Sequence, residues 1–149
     1  MNVNILPIVS KLHDGHIVND ETKMLLNQIE KISDFKFDIT NKDDLYNTKI
    51  SLILVQSGGS EGYFIEMEKD LKPPYYLLTY GTNNSLAASM EILSYLKAKN
   101  CEAEILHGTP YYISKRLKEL RVMNIDKNEI KKISGFIINN KVGSSYLIE

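Results

Sequence analysis

One segment constrains the fold of this chain more than any other: Ile50 to Gln56, reading ISLILVQ. Its near-continuous apolar character suits a strand covered on both faces, as in a parallel sheet, rather than a half-exposed strand with alternating polarity. It runs directly into Ser57-Gly58-Gly59-Ser60-Glu61, a glycine turn of the kind that joins a strand to a helix. Other short apolar runs fit around it. Val3 to Val9, Tyr75 to Tyr80, Ala103 to Leu106 and Gly135 to Ile138 read as strands, and Phe35 to Ile39 as a weaker, shorter one.

Helical patterns separate these runs. Asp20 is placed to cap a helix whose inward face includes Leu25, Ile29 and Ile32. The spacing predicts a second helix from Asn84 or Ser85 towards Asn100, with Leu86, Met90, Leu93 and Leu96 on one face. Asn83 or Asn84 is expected to cap its start, and Asn100 to end it. Ile113, Leu117 and Leu120 repeat the pattern after Pro110, and Ile130 and Ile133 suggest a further short helix. Strand and helix therefore alternate, which favours right-handed crossovers and helices on both faces of one sheet. No repeat, low-complexity tract or linker divides the chain, so residues 1–149 are expected to form a single α/β domain.

Composition narrows the function classes. A chain of 149 residues with 43% hydrophobic residues can bury a core without disulfides or metals. Its formal net charge of -1, with lysines scattered among acids, gives no general attraction to nucleic acid or to an anionic membrane. The one cysteine, Cys101, opens an apolar run and reads as a small buried hydrophobe. No apolar run reaches membrane-spanning length, and Met1 to Ile8 lacks the basic lead of a secretory signal, so a cytoplasmic setting is expected.

In an open parallel sheet, ligands meet the loops beyond the strands' carboxyl ends. Those loops here are polar: Ser10 with His13-Asp14-Gly15-His16, then Ser57 to Glu61, Gly81 to Ser85, His107 to Pro110, and Asn139 to Ser145. Gly58 and Gly59 permit a tight turn and close approach to backbone amides. Ser60 is placed to cap the following helix, with Glu61 near its positive end. This is an expected anion or sugar-hydroxyl site, set against the plainer reading of a strand-to-helix turn. Asn83, Asn84 and Ser85 offer amides and a hydroxyl to a polyol, or cap a helix. His13 with Asp14 and His16 makes an incomplete tetrahedral metal set, so a loop or substrate contact is expected there. His107 either donates to a ligand or bonds within its own turn. No catalytic constellation is legible.

Two segments taken together resemble a known family. Leu52 to Glu61 is similar to the strand and TGGTE-like turn of fucose-isomerase-like proteins. Pro74 to Leu78, leading into Asn84-Ser85-Leu86-Ala87-Ala88 and Glu91, is similar to that family's next strand and NSL-A-A-x-x-E helix start. Gly135 to Ile138 and Gly143 to Ile148 resemble its later strand and turn, with Gly143 where the family has proline and Tyr146 where it has tryptophan. Leu6 stands where the family has an arginine. The resemblance implies the N-terminal domain of an L-fucose/L-arabinose-isomerase-like sugar isomerase: a three-layer Rossmann-like, flavodoxin-like sandwich with a mainly parallel sheet of about five or six strands. It implies a substrate-side and assembly domain of an oligomeric aldose–ketose isomerase, not a complete catalyst alone. Its partners are then a sugar or other small polar molecule and the catalytic domains or neighbouring subunits of a homo-oligomer. The manganese of that family is held by later domains, so no position here is assigned as a ligand. The alternatives are a non-catalytic small-ligand or regulatory module, and a subunit-contact scaffold using Tyr63, Phe64, Tyr75, Tyr76, Tyr111 and Tyr112. In the adjacent aromatic pairs one member is expected buried and one exposed.

Overall fold

A computed structural model describes residues 2–10, 20–40, 45, 51–81 and 84–120. Five parallel strands form one sheet: β1 (Asn2–Ile8), β2 (Lys36–Ile39), β3 (Ser51–Val55), β4 (Tyr75–Thr79) and β5 (Ala103–Leu106). Their order is β2-β1-β3-β4-β5, the doubly wound, flavodoxin-like order of a Rossmann-like α/β sandwich. The chain divides into two compact units, Met1–Lys115 and Arg116–Glu149, and the first carries all five strands. The expected strand Gly135–Ile138, the helix at Ile130 and Ile133, and the turn Gly143–Ser145 lie outside the described residues.

The sequence dictates which strands are central. All five residues of β3 and all five of β4 are buried. β2, with Ile39 half exposed, forms an edge. Because β4 is covered on both faces, Tyr75 and Tyr76 are both buried, against the expectation of one in and one out. Tyr111 and Tyr112 are both exposed, since they sit in a helix where period-two alternation does not apply.

The crossovers place the helices. From β1, helix α1 (Asp20–Lys31) leads to the edge strand β2. From β3 the chain proceeds the other way through α2 (Ser60–Met67), a short 3₁₀ turn (Glu68–Asp70), β4, α3 (Ser85–Ala98) and β5. Right-handed crossovers in opposite directions put α1 on one face and α2 and α3 on the other. The core on the α2/α3 face joins Leu6, Ile8, Ile53, Val55, Tyr75 and Leu77 of the sheet to Phe64, Met67, Ala88, Ile92 and Leu96. Phe64 meets Tyr75 edge to face, with ring centroids 5.7 Å apart.

Helix faces differ in part from their expected ones. In α1, Leu25 and Ile29 are buried as expected, joined by Thr22 and Leu26, but Ile32 is 53% exposed because the helix has ended at Lys31. The described part of α1 begins at Asp20, and the residues before it lie outside the described residues. In α3 the inward face is Ser85, Ala88, Ser89, Ile92 and Leu96, whereas Leu86 and Met90 point outward and Leu93 is half-buried. Small residues face inward where α3 begins against the sheet, and the larger side chains are displaced to the outer surface. Asn100 ends α3 as expected, at φ 61°. The Cys101 N–H donates to the Leu96 carbonyl at 2.9 Å, and the Asn100 N–H to that of Lys97 at 3.0 Å, completing a Schellman cap. Residues 110–120 form a further helix, α4. Ile113 is fully buried, and Leu117 and Leu120 nearly so.

Candidate functional site at the carboxyl rim of the sheet

In the order β2-β1-β3-β4-β5 the connections leave β1 and β3 in opposite directions, which makes this the switch point where open α/β sheets bind ligands beyond the strands' carboxyl ends. Two loops flank it on the described residues: Val9 and Ser10 after β1, and Gln56 to Gly59 after β3. They are cross-linked. The Gln56 N–H donates to the Ile8 carbonyl at 3.1 Å, and the Ser10 N–H donates to Ser57 Oγ at 3.0 Å. From α1, Thr22 Oγ1 donates to Gln56 Oε1 at 2.8 Å.

The glycine turn is shaped by this closure. Gly59 is the N-cap of α2, at φ 82° and ψ 0°, so Ser60 is the first helical residue and not the cap that its sequence position suggested. The Ser60 hydroxyl, fully buried, donates to the Ser57 carbonyl at 2.7 Å. A Cβ on Gly59 would lie 2.8 Å from Ser10 Oγ. The close approach that requires glycine here is thus made by the chain's own Ser10. Gly58 is half-buried and Gly59 exposed at the rim. The first amides of α2 have no acceptor within the helix. Beside them stands Glu61 in the first turn, whose Oε2 is buried and has no hydrogen-bond partner.

The rim continues along β4 and β5. Asn84 is the N-cap of α3, but at φ 61° its side chain makes no capping bond; only its carbonyl is engaged, by the Ala88 N–H at 3.1 Å. Ser85 performs the structural work expected of its neighbours. Its buried hydroxyl donates to the Val55 carbonyl at the end of β3 and accepts from the Tyr80 N–H at 3.2 Å. His107, exposed at the end of β5, is hydrogen-bonded through Nδ1 to Thr79 Oγ1 at the end of β4.

Of the residues singled out from the sequence, Gly58, Gly59, Ser60, Glu61, Asn84, Ser85 and His107 all lie at the carboxyl ends of β3, β4 and β5. His13 and Asn83 lie outside the described residues. Ser10 and Ser57 were named only as members of their polar loops, and Thr79 was not named at all. Their common signal is a small hydroxyl residue at the polar end of an apolar strand, and it becomes readable once the strands are in register. Among the described residues no three His, Cys, Asp or Glu side chains come together in a way that would hold a metal ion. The manganese that the resemblance implies finds no ligand set on them.

A second polar cluster sits away from this rim. Glu68, 9% exposed, accepts hydrogen bonds at Oε1 from Tyr95 Oη, at 3.0 Å, and from Lys99 Nζ. Lys99 Nζ also lies 5.1 Å from the centre of the Tyr95 ring. Burial pushes the Glu68 carboxyl up, but the bonds from Lys99 and Tyr95 and the Lys99 charge outweigh it, and the net displacement is downward from 4.5. Tyr75 is wholly buried and its hydroxyl has no partner in hydrogen-bonding geometry. Burial first, then the Glu68 charge, drives its ionisation upward.

Comparison of the chain with family models, with curated proteins and with solved structures returned no match. No helix among the described residues is long and apolar enough to cross a membrane.

Proposed function

We propose that this chain binds a small, neutral, polyhydroxylated molecule at the carboxyl rim of β3, β4 and β5, as the substrate-side and assembly domain of a fucose-isomerase-like aldose–ketose isomerase. The observation that carries the binding reading is Glu61 Oε2, buried and unpartnered in the first turn of α2 beside the glycine pair. Amides that have no acceptor within the helix and a carboxylate in the same turn supply donors and an acceptor together. Each hydroxyl of a sugar both donates and accepts, so it satisfies both kinds of group. A phosphate meets the amides favourably, but it also meets the carboxylate. The rim therefore favours a polyol over an anion. The enzyme class comes from the resemblance alone, with sugar turnover requiring residues that other domains supply.

Calorimetric titration of the chain with L-fucose, L-arabinose and D-fructose tests this. Saturable binding is expected, and Glu61→Ala is expected to weaken it by about tenfold or more, as for removal of a charged acceptor. Absence of binding by the wild-type chain, or an unchanged Glu61→Ala affinity, sinks the reading.

A second reading, a subunit-contact surface, has its own support. Leu86 and Met90 on α3 and Tyr63 and Ile65 on α2 are 36–56% exposed, on two helices that pack against each other. It predicts concentration-dependent self-association in sedimentation velocity, abolished by Met90→Lys. A monomer at all concentrations excludes it.

A further inference from the structure

Thr79 and His107 sit one rung beyond the last registered pair of β4 and β5, Leu78 with Leu106. Thr79 is 1% exposed, and its hydroxyl is bonded to the ring Nδ1 of His107. A buried hydroxyl that cannot donate its proton is costly, whereas an unused lone pair costs less. Nδ1 is the partner that can take that proton. A neutral imidazole accepting at Nδ1 carries its own proton on Nε2.

The turn after His107 is equally determined. Gly108 has φ 149°, and a Cβ there would come within 3.1 Å of the Tyr112 ring. The Tyr112 N–H donates to Thr109 Oγ1 at 3.1 Å, so Thr109 caps α4, with Pro110 as its first helical residue. His107 is thus held between a strand end and a capped helix start, while remaining exposed itself.

We infer that Thr79 is a positioning residue for His107, fixing the ring as the Nε2–H tautomer and presenting that N–H at the rim as a donor to an oxygen of the bound molecule. This rests on the rim reading above and deepens it. Glu61 supplies an acceptor after β3, and His107 supplies a neutral donor after β5. Such a donor engages sugar hydroxyl or carbonyl oxygens without demanding a charged ligand.

The test uses the full chain with ¹⁵N-labelled histidine. Long-range ¹H–¹⁵N spectra are recorded above roughly pH 8, where imidazoles are neutral, with His107→Gln assigning the signals. The expected result is a single Nε2–H tautomer for His107 in the wild type. Thr79→Val is expected to give an averaged, solvent-like signature, and Thr79→Ser to restore the wild-type one. Titration with the same three sugars is expected to show about a five- to tenfold loss of affinity in Thr79→Val and His107→Gln, the loss of one neutral hydrogen bond, and recovery in Thr79→Ser. A proton on Nδ1, or a Thr79→Val spectrum identical to the wild type, overturns the assignment of Thr79 as the residue that fixes the Nε2–H tautomer, even if sugar binds. A wild type with the expected tautomer that binds none of the sugars overturns the ligand role and the rim reading together, and leaves the pairing standing.

Discussion

Gly59 combines a backbone at φ 82° with Ser10 Oγ only 2.8 Å from where a Cβ would stand. Left-handed backbone costs an L-residue about 1–2 kcal/mol, and here the crowding atom belongs to a side chain anchored by its own backbone bond to Ser57. Gly59→Ala is therefore expected to destabilise the chain by roughly 2 kcal/mol in urea denaturation, and Ser10→Gly in the same background to recover part of that loss. Tyr75 presents the opposite case. Its hydroxyl is buried near the Glu68 carboxylate but outside good hydrogen-bonding geometry, so its desolvation is at best partly offset. Tyr75→Phe keeps the edge-to-face packing with Phe64 and removes that cost. Its unfolding free energy is expected to equal or exceed that of the wild type by up to about 1 kcal/mol; a clear loss of stability would show that the hydroxyl has a partner in solution. Neither residue's role follows from its own identity. A glycine after a strand announces a turn, but the side chain it must admit lies on another loop.

Among the elements, α3 shows how a correct helix can carry an incorrect face. The period of Leu86, Met90, Leu93 and Leu96 is helical, and so is that of Ser85, Ala88, Ser89, Ile92 and Leu96; side-chain size and hydrophobicity point to the first, whereas proximity to the sheet selects the second. Ala88 is 1% exposed and Met90 56% exposed. Ala88→Leu is thus expected to cost about 1–3 kcal/mol by overpacking, and Met90→Ala to change stability by no more than about 0.5 kcal/mol; thermal melts of the two variants distinguish the faces directly. The far end of α3 is joined to the 3₁₀ turn by Glu68, Tyr95 and Lys99. The Glu68 carboxyl lies below its ordinary 4.5 when folded, so its contribution is present above that pH and is lost as pH falls through the folded value. Lys99 is raised from 10.5, so its contribution is present below that pH and lost as pH rises through the folded value. The stability difference between wild type and Glu68→Gln is accordingly expected to be largest between these limits and to shrink on acidification below pH 4.5. A difference independent of pH would assign the residue a packing role only.

For the molecule as a whole, strand order is the decisive property, because it gathers loops distant in sequence onto one rim. Sugar binding at that rim, as proposed, is expected to survive chelation by EDTA, because the groups assigned to the ligand, Glu61 and His107, act by hydrogen bonding; binding abolished by chelation would assign the ligand's contacts to a metal instead. Much of this architecture was legible beforehand. The apolar run of β3, the strand–helix alternation and the glycine turn specify a parallel α/β sheet, because backbone periodicity and burial are local, repeated signals. They also specify which segments end at the carboxyl edge of the sheet, and Gly58, Gly59, Glu61, Asn84 and His107 were found there. What only the tertiary structure decided was pairing. Ser10 against Gly59, Ser85 to Val55, Thr79 to His107, and Glu68 to Lys99 join residues from 28 to 49 positions apart. A hydroxyl or carboxylate has no periodic partner along the chain. Whether it caps a helix, stitches two strands or stays free for a ligand depends on which strand the fold sets beside it.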